Sequence, residues 1–308
     1  MRTSATPTPR TLLRPNAPGG LRPPDVSTAP SGSNAADGPT DVDPPADVEA
    51  LMARLDTISI AHPSAVRVLM LVDDPNVTIH KVGEAIETDP AFTAQIMRLA
   101  NSAYYGLSGR VGNINFAVTI IGFAAVRSLA AMAAAGVTAS GVKTPAEFWA
   151  HAASTAAGAS AVASRFGIPT ADCFAAGLLH DVGMVFLQQI DPDRHNALLV
   201  EHGSHGAGLV EAERRVFGMS HAEAAAHVLR NWKFPQRFVD AVAGHHDPEA
   251  DPFAQAVAVG EALAIAGVGD DPVAEAVLER SGIEGEDRAT LIEYTVQRAR
   301  EVLASLPH

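Results

Sequence analysis

Apolar residues recur at three- and four-residue intervals from Val48 almost to the end of the chain, the spacing that lines one face of an α-helix. Val82, Ala85 and Ile86 share a face over 79–87. Phe92, Ile96, Leu99 and Ala103 do the same in the next helix, which ends near Gly106. Asp89-Pro90 opens that helix, as an N-cap followed by proline at the first helical position. Ile114–Ile121 and Phe123–Ala135 read as two strongly apolar helices with Gly122 as the break. Thr144-Pro145 starts another that runs to about Phe166 and closes at Gly167-Ile168-Pro169. Helices are then expected over Ala171–Gln189, Leu198–Phe217, Ser220–Trp232, Pro235–His245 and Pro252–Ala266. A more charged helical segment, Asp271–Leu306, is expected as a peripheral cover. No segment alternates with the period of a strand between turn signals, so the expected fold class is all-α.

Residues 1–48 follow no such period. Pro, Ser, Thr, Gly and Asp dominate them, and they offer too little apolar surface to offset the entropy of ordering. A disordered N-terminal tail is expected there, with a flexible tether as its plainest role. Hydrophobic residues make up 47% of the chain and aromatics only 5%, so the core must be built from small aliphatic side chains that let helices approach closely. The most membrane-like stretch, Ile114 to Val137, is divided by Gly122 and Arg127 into short apolar pieces, so no membrane span is expected. The formal net charge is −13, with only −2 of it in residues 1–50. Such a surface repels phosphate backbones and disfavours nucleic-acid binding. The one cysteine, Cys173, fits a reducing compartment and a cytoplasmic location.

Candidate chemistry gathers in the second half: His151, the pair His180-Asp181, His221, the pair His245-His246, and Glu261. Imidazole nitrogens and carboxylate oxygens are the donors that zinc, manganese and ferrous iron accept, and helical bundles build such sites from facing helices. Glu147 precedes His151 by one helical turn and is a further candidate ligand. A metal so held could ionise a water and stabilise a leaving phosphate oxygen. Any one buried histidine alone is more often a hydrogen-bonded core residue than a ligand, and the chain has 12 of them. Asn101-Ser102-Ala103-Tyr104-Tyr105 reads as a helix end with aromatic packing, and Arg127 as the partner of a carboxylate between helical lobes.

Longer motifs carry a family resemblance. Glu87 to Phe92 and Arg98 to Gly106, then Ile114, Ala117-Val118, Ile121-Gly122 and Val126 to Leu129, resemble the HDOD domain signature. So do Phe148 to His151, Ala176 to Gly183, Glu213, Phe217 to Glu223, Trp232 to Pro235, and His245-His246. The resemblance covers roughly Leu51 to Asp247. It implies an HD-like multi-helix bundle in two helical lobes, 49–140 and 141–248, with 249–308 as a C-terminal helical extension.

It also implies a bacterial signal-transduction module without catalysis, one that works by binding a partner protein or a small nucleotide ligand. The alternative implied by the wider HD and HD-GYP relatives is a metal-dependent phosphohydrolase acting on a nucleotide or cyclic dinucleotide. Carried over from those relatives, His151, His180, Asp181, His221, His245 and His246 match metal ligands, Glu147 stands where a further carboxylate occurs, and Glu261 replaces a closing aspartate. Met184 stands where the HD-GYP enzymes carry a lysine, and Asp247-Pro248-Glu249 where they carry Gly-Tyr-Pro. Both departures favour the non-catalytic expectation.

Overall fold

The computed structural model describes residues 48–58, 63–72, 74–137 and 146–306. The expected tail, apart from Val48, lies outside the described residues, as do Thr144-Pro145 and the proposed lobe boundary at 140/141. Among the described residues the chain is helical without a strand: α1 Val48–Ile58, α2 Pro63–Val72, α3 Ile79–Glu87, α4 Pro90–Ala100, α5 Ile114–Ala134, α6 Ala146–Val162, α7 Thr170–Leu179, α8 Val182–Ile190, α9 Pro192–His202, α10 Ala207–Phe217, α11 His221–Asn231, α12 Gln236–Gly244, α13 Pro252–Ala266, α14 Pro272–Arg280 and α15 Gly285–Leu303. Short 3-10 turns at Ala103–Tyr105 and Ala163–Phe166 follow α4 and α6.

The same local device opens four of these helices. Asp89, Asp191, Asp251 and Asp271 each precede a proline, and each side chain accepts hydrogen bonds from the first turn it caps. Gly122 bends α5 at φ 79°, ψ 159°, which divides it into the two apolar helices the sequence implies. That helix, and the stretch Thr170–Ile190, are long and apolar enough to cross a membrane by length and composition, but 67% and 89% of their apolar windows are buried inside the protein. Asn101 caps α4 and ties it to Val111 through both its amide oxygen and nitrogen, while Tyr104 and Tyr105 pack on Phe174. The expected structural role of that motif is what is found. Arg127 donates to the Lys233 carbonyl at 3.5 Å and lies over the Phe234 ring.

One hydrophobic cluster runs from Leu51 in α1 to Leu306, and a smaller one joins Val162 to α13, α14 and Ile283. The long alanine-rich α6 is the axis, with α7, α13 and α15 packed on it. Glycines set how near its neighbours come: a Cβ on Gly158 would lie 2.6 Å from the Gly260 carbonyl oxygen, so α6 and α13 touch backbone to backbone. The terminal segment is more than a cover. Thr295, Ala299 and Val302 of α15 are buried, and α13, beyond the resemblance, is part of the interior.

Two expected helices prove to be pairs. Leu198–Phe217 is the end of α9 and all of α10, parted by Gly203 and Gly206 at positive φ. Ala171–Gln189 is α7 and α8, parted at His180-Asp181. Asp181 leaves helical geometry at φ −101°, ψ 11° and takes the N-cap position of α8, yet its side chain makes no capping bond. Its oxygens are used elsewhere.

Candidate metal centre

Three of the histidines owe their aim to the end of a helix. His180 is the C-cap of α7 and His245 the C-cap of α12. A helix C-terminus leaves carbonyls without intrahelical partners, and each ring turns back to one: His180 Nδ1 lies 2.8 Å from the Gly177 oxygen and His245 Nδ1 2.7 Å from that of Val242. A carbonyl only accepts, so each Nδ1 donates and each Nε2 is turned to the interior. His221 is the first residue of α11, where backbone N–H groups are free; Ser220 and Glu223 form a capping box beside it. Its N–H donates to Glu213 Oε2 at 2.8 Å, and its Nδ1–H donates to the same oxygen at 2.6 Å. Glu213 is fully buried on α10 and also meets His195 Nε2 at 3.4 Å, while His195 Nδ1 reaches Gln188 at 2.8 Å.

Asp181 stands in the middle. Oδ1 lies 3.3 Å from His221 Nε2 and 3.6 Å from His245 Nε2, and Oδ2 lies 3.2 Å from His180 Nε2 and 3.4 Å from His151 Nε2. His246 Nε2 is 3.0 Å from His221 Nε2, and Glu261 Oε1 is 3.8 Å from His151 Nε2. Two groups of four donors result, Asp181–His221–His245–His246 and His151–His180–Asp181–Glu261, each with its ligand atoms within 4.8 Å of one another. Donors on opposite sides of one ion at ~2.1 Å stand ~4.2 Å apart, so each group is of a size to close around a cation. Asp181 belongs to both, one oxygen to each.

The residues fit a metal on grounds of their own. Asp181 Oδ1 and His245 Nε2 are buried and have no hydrogen-bond partner, a costly state for polar atoms. Nitrogen faces nitrogen at 3.2 Å between His180 and His151 and at 3.0 Å between His221 and His246, an arrangement that only a shared proton or a cation relieves. Electrostatics agree. Burial works to raise Asp181, but the imidazoles, His180 foremost, hold its carboxyl well below the usual carboxylate range. Burial works against charge on His221, yet Asp181 and Glu213 push it up to about 10. Burial, reinforced by His245 and His221, depresses His246. The carboxylates of Asp181 and Glu213 thus draw positive charge to His221, while the neighbouring imidazoles keep it off His246.

Seven of the eight sequence candidates, all but Glu147, meet here. Glu147 lies on the exposed surface of α6 and joins neither group, because one turn toward the helix N-terminus carries it past the edge of the cluster. Glu213 was marked only as part of a motif. Its signal was a carboxylate on the helix face that Leu209, Val210, Ala212 and Phe217 bury. Met184 is half-buried against the hydrophobic core.

Comparison with known proteins gives the relatives of this arrangement. An uncharacterized protein of Treponema pallidum (strain Nichols) is 24% identical over 197 residues, covering 63% of this chain and 38% of that one, so the chain spans well under half of that relative's length. A Shewanella amazonensis SB2B protein provisionally described as a phosphohydrolase superposes with a TM-score of 0.65 at 23% identity, over 84% of this chain and 98% of its own. A Geobacter sulfurreducens HDOD domain protein with unknown function superposes with a TM-score of 0.55 at 26% identity, over 84% and 97%. A Marinobacter aquaeolei VT8 protein provisionally described as a signal transduction protein gives 0.64 at 24% identity, over 83% and 63%. The HDOD domain matches residues 59–248, well over half of the chain, and the protein belongs to the HDOD domain family.

Proposed function

We propose that this protein is a signal-transduction module whose centre binds two divalent metal ions and, through them, a phosphoester ligand. The observation that supports it is the placement of Asp181, whose two oxygens face separate donor groups with His221, His245 and His246 on one side and His151, His180 and Glu261 on the other. Two cations held by these donors would supply Lewis acidity and a nucleophilic water to a phosphoryl group. The chain's own part is orientation: Gly177, Val242 and Glu213 fix three rings so that their Nε2 atoms point inward. A cleft of about 650 Å³, bordered by His245, His246 and Glu261, gives a small ligand access. Ligand occupancy, relayed to a partner protein, is the signal in this reading.

Hydrolysis of the ligand is the second reading, and the complete two-ion donor set favours it. Met184 favours binding without turnover, since a lysine's charge-assisted contact to phosphate is missing there. The test is elemental analysis of the full-length protein after reconstitution with iron, manganese or zinc, paired with a product assay on phosphomonoesters and diesters. Two ions per chain are expected, lost in Asp181→Ala. Less than a trace of bound metal overturns both readings, and turnover abolished in Asp181→Ala decides for hydrolysis.

A further inference from the structure

The metal ligands account for one end of the cleft. Its outer rim is built by elements the metal centre does not use, and one of them carries a histidine. His205 lies in the loop between α9 and α10, flanked by Gly203 at φ 81° and Gly206 at φ 92°. Its side chain is 32% exposed and lines the cleft together with His245, His246 and Glu261. The ring stacks nearly parallel on His151, with centroids 6.4 Å apart and planes 13° from each other. One edge is held by the chain next to it, Nδ1 lying 3.3 Å from the Ser204 hydroxyl. The other edge faces Asp271. Nε2 stands 3.8 Å from Asp271 Oδ2, beyond hydrogen-bond length, while Asp271 Oδ1 is engaged in capping α14.

The Ser204 hydroxyl beside Nδ1 and the Asp271 carboxylate facing Nε2 are compatible with a proton on Nε2. That N–H borders the cleft beside the metal donors. The far wall is apolar, with Ile265, Val273 and Val277 from α13 and α14, and ends at the exposed guanidinium of Arg280. These wall residues lie beyond 248, where the HDOD match stops.

We propose that His205 contacts the ligand, donating a hydrogen bond from Nε2 to a phosphoryl oxygen at the open face of the centre, and that the α13–α14 wall receives the organic body of the ester. This rests on the two-ion reading above. The ligand class is an organic phosphate whose body has an apolar face, and Arg280 favours one with a further anionic group at its far end.

The test uses the full-length, metal-reconstituted protein and inorganic phosphate as the probe, with binding followed by calorimetry and metal content measured on the same samples. His205→Ala is expected to keep both ions and to weaken phosphate binding about tenfold or more, the loss typical of a hydrogen bond to a charged group. His205→Gln, which retains an N–H donor, is expected to recover part of that affinity. Equal phosphate affinity in wild type and His205→Ala, with ions retained in both, overturns the assignment of His205 and leaves the metal reading standing. Wild type that holds its ions but binds no phosphate overturns the assignment and the ligand reading together.

Discussion

Removing the carboxylate of Glu213 probes the centre without touching a candidate metal ligand. In Glu213→Ala the His221 N–H, 2.8 Å from the lost oxygen, and the His221 Nδ1–H, 2.6 Å from it, both lose their acceptor in a place water does not reach. Each buried donor so stranded costs roughly 1–3 kcal/mol, and breaking a buried charged pair typically costs ~3–5 kcal/mol. The expected loss is therefore about 3–5 kcal/mol in the metal-free protein, a large part of the ~5–15 kcal/mol that holds a typical domain together. Glu213→Gln keeps an oxygen that can accept from His221, so it should lose about 1–2 kcal/mol. Metal affinity should fall as well, ~10–100-fold and only for the ion held by His221, His245 and His246, because the ring is no longer fixed. Urea denaturation of the chelator-treated protein measures the first effect and a two-site metal titration the second. Glu213→Ala within about 0.5 kcal/mol of wild type, with both ions bound at unchanged affinity, would refute the reasoning, since nothing would then depend on the Glu213–His221 contact.

Other positions give independent checks. A Cβ on Gly183 would stand 1.8 Å from the His221 carbonyl oxygen, so Gly183→Ala must push α8 off α11; a loss of about 1–3 kcal/mol and a weakened His221-side ion are expected, and an unchanged melting curve with two ions bound would count against the packing described. Asp89 caps α4 through Ala91 and Phe92, and Asp89→Ala should lower stability by about 1 kcal/mol in chemical denaturation, with no effect on metal content. Burial pushes the Cys173 thiol up to about 12, so at pH 8 it should resist a thiol-specific reagent in the folded protein and react at once in denaturant; rapid labelling of native protein contradicts the burial. The sign is that of a group whose neutral form the fold favours: its contribution to stability is whole below the unfolded thiol range and declines as pH rises toward 12.

The helices were legible because their signals are local. Asp89-Pro90, the apolar faces of α3 and α4, Gly122 and the whole of α13 follow from spacing and capping within a few residues. The start of α9 carried the same Asp-Pro signal at Asp191-Pro192, yet the polar face that follows it hid the helix until Leu198. The break at His180-Asp181 had no local mark, since Leu178, Leu179 and Val182 continue a buried pattern across it. It is made by what Asp181 reaches across the bundle. The same holds for the centre. Histidine and carboxylate identities could be read in order along the chain, but the pairing of Glu213 with His221 and the stacking of His205 on His151 depend on how α6, α10 and α11 come to rest. Glu147 shows the converse: helical spacing put it on the face of His151, and the third dimension left it outside.

The sharing of Asp181 between helices that are distant in sequence has a consequence for the lifetime of the folded chain. His151 and Glu261 are 110 residues apart and belong to one donor group. An ion gripping both would act as a removable cross-link, closing a loop as a disulfide does, and for ~100 residues such a closure is worth roughly 4–5 kcal/mol of chain entropy. A second ion held by His221, His245 and His246 would fasten α11 and the end of α12 to the same carboxylate. Metal supply would then set how long the assembled helices persist between openings. Scarcity of the ion would be felt as a shorter residence time of the native state, before any ligand arrives.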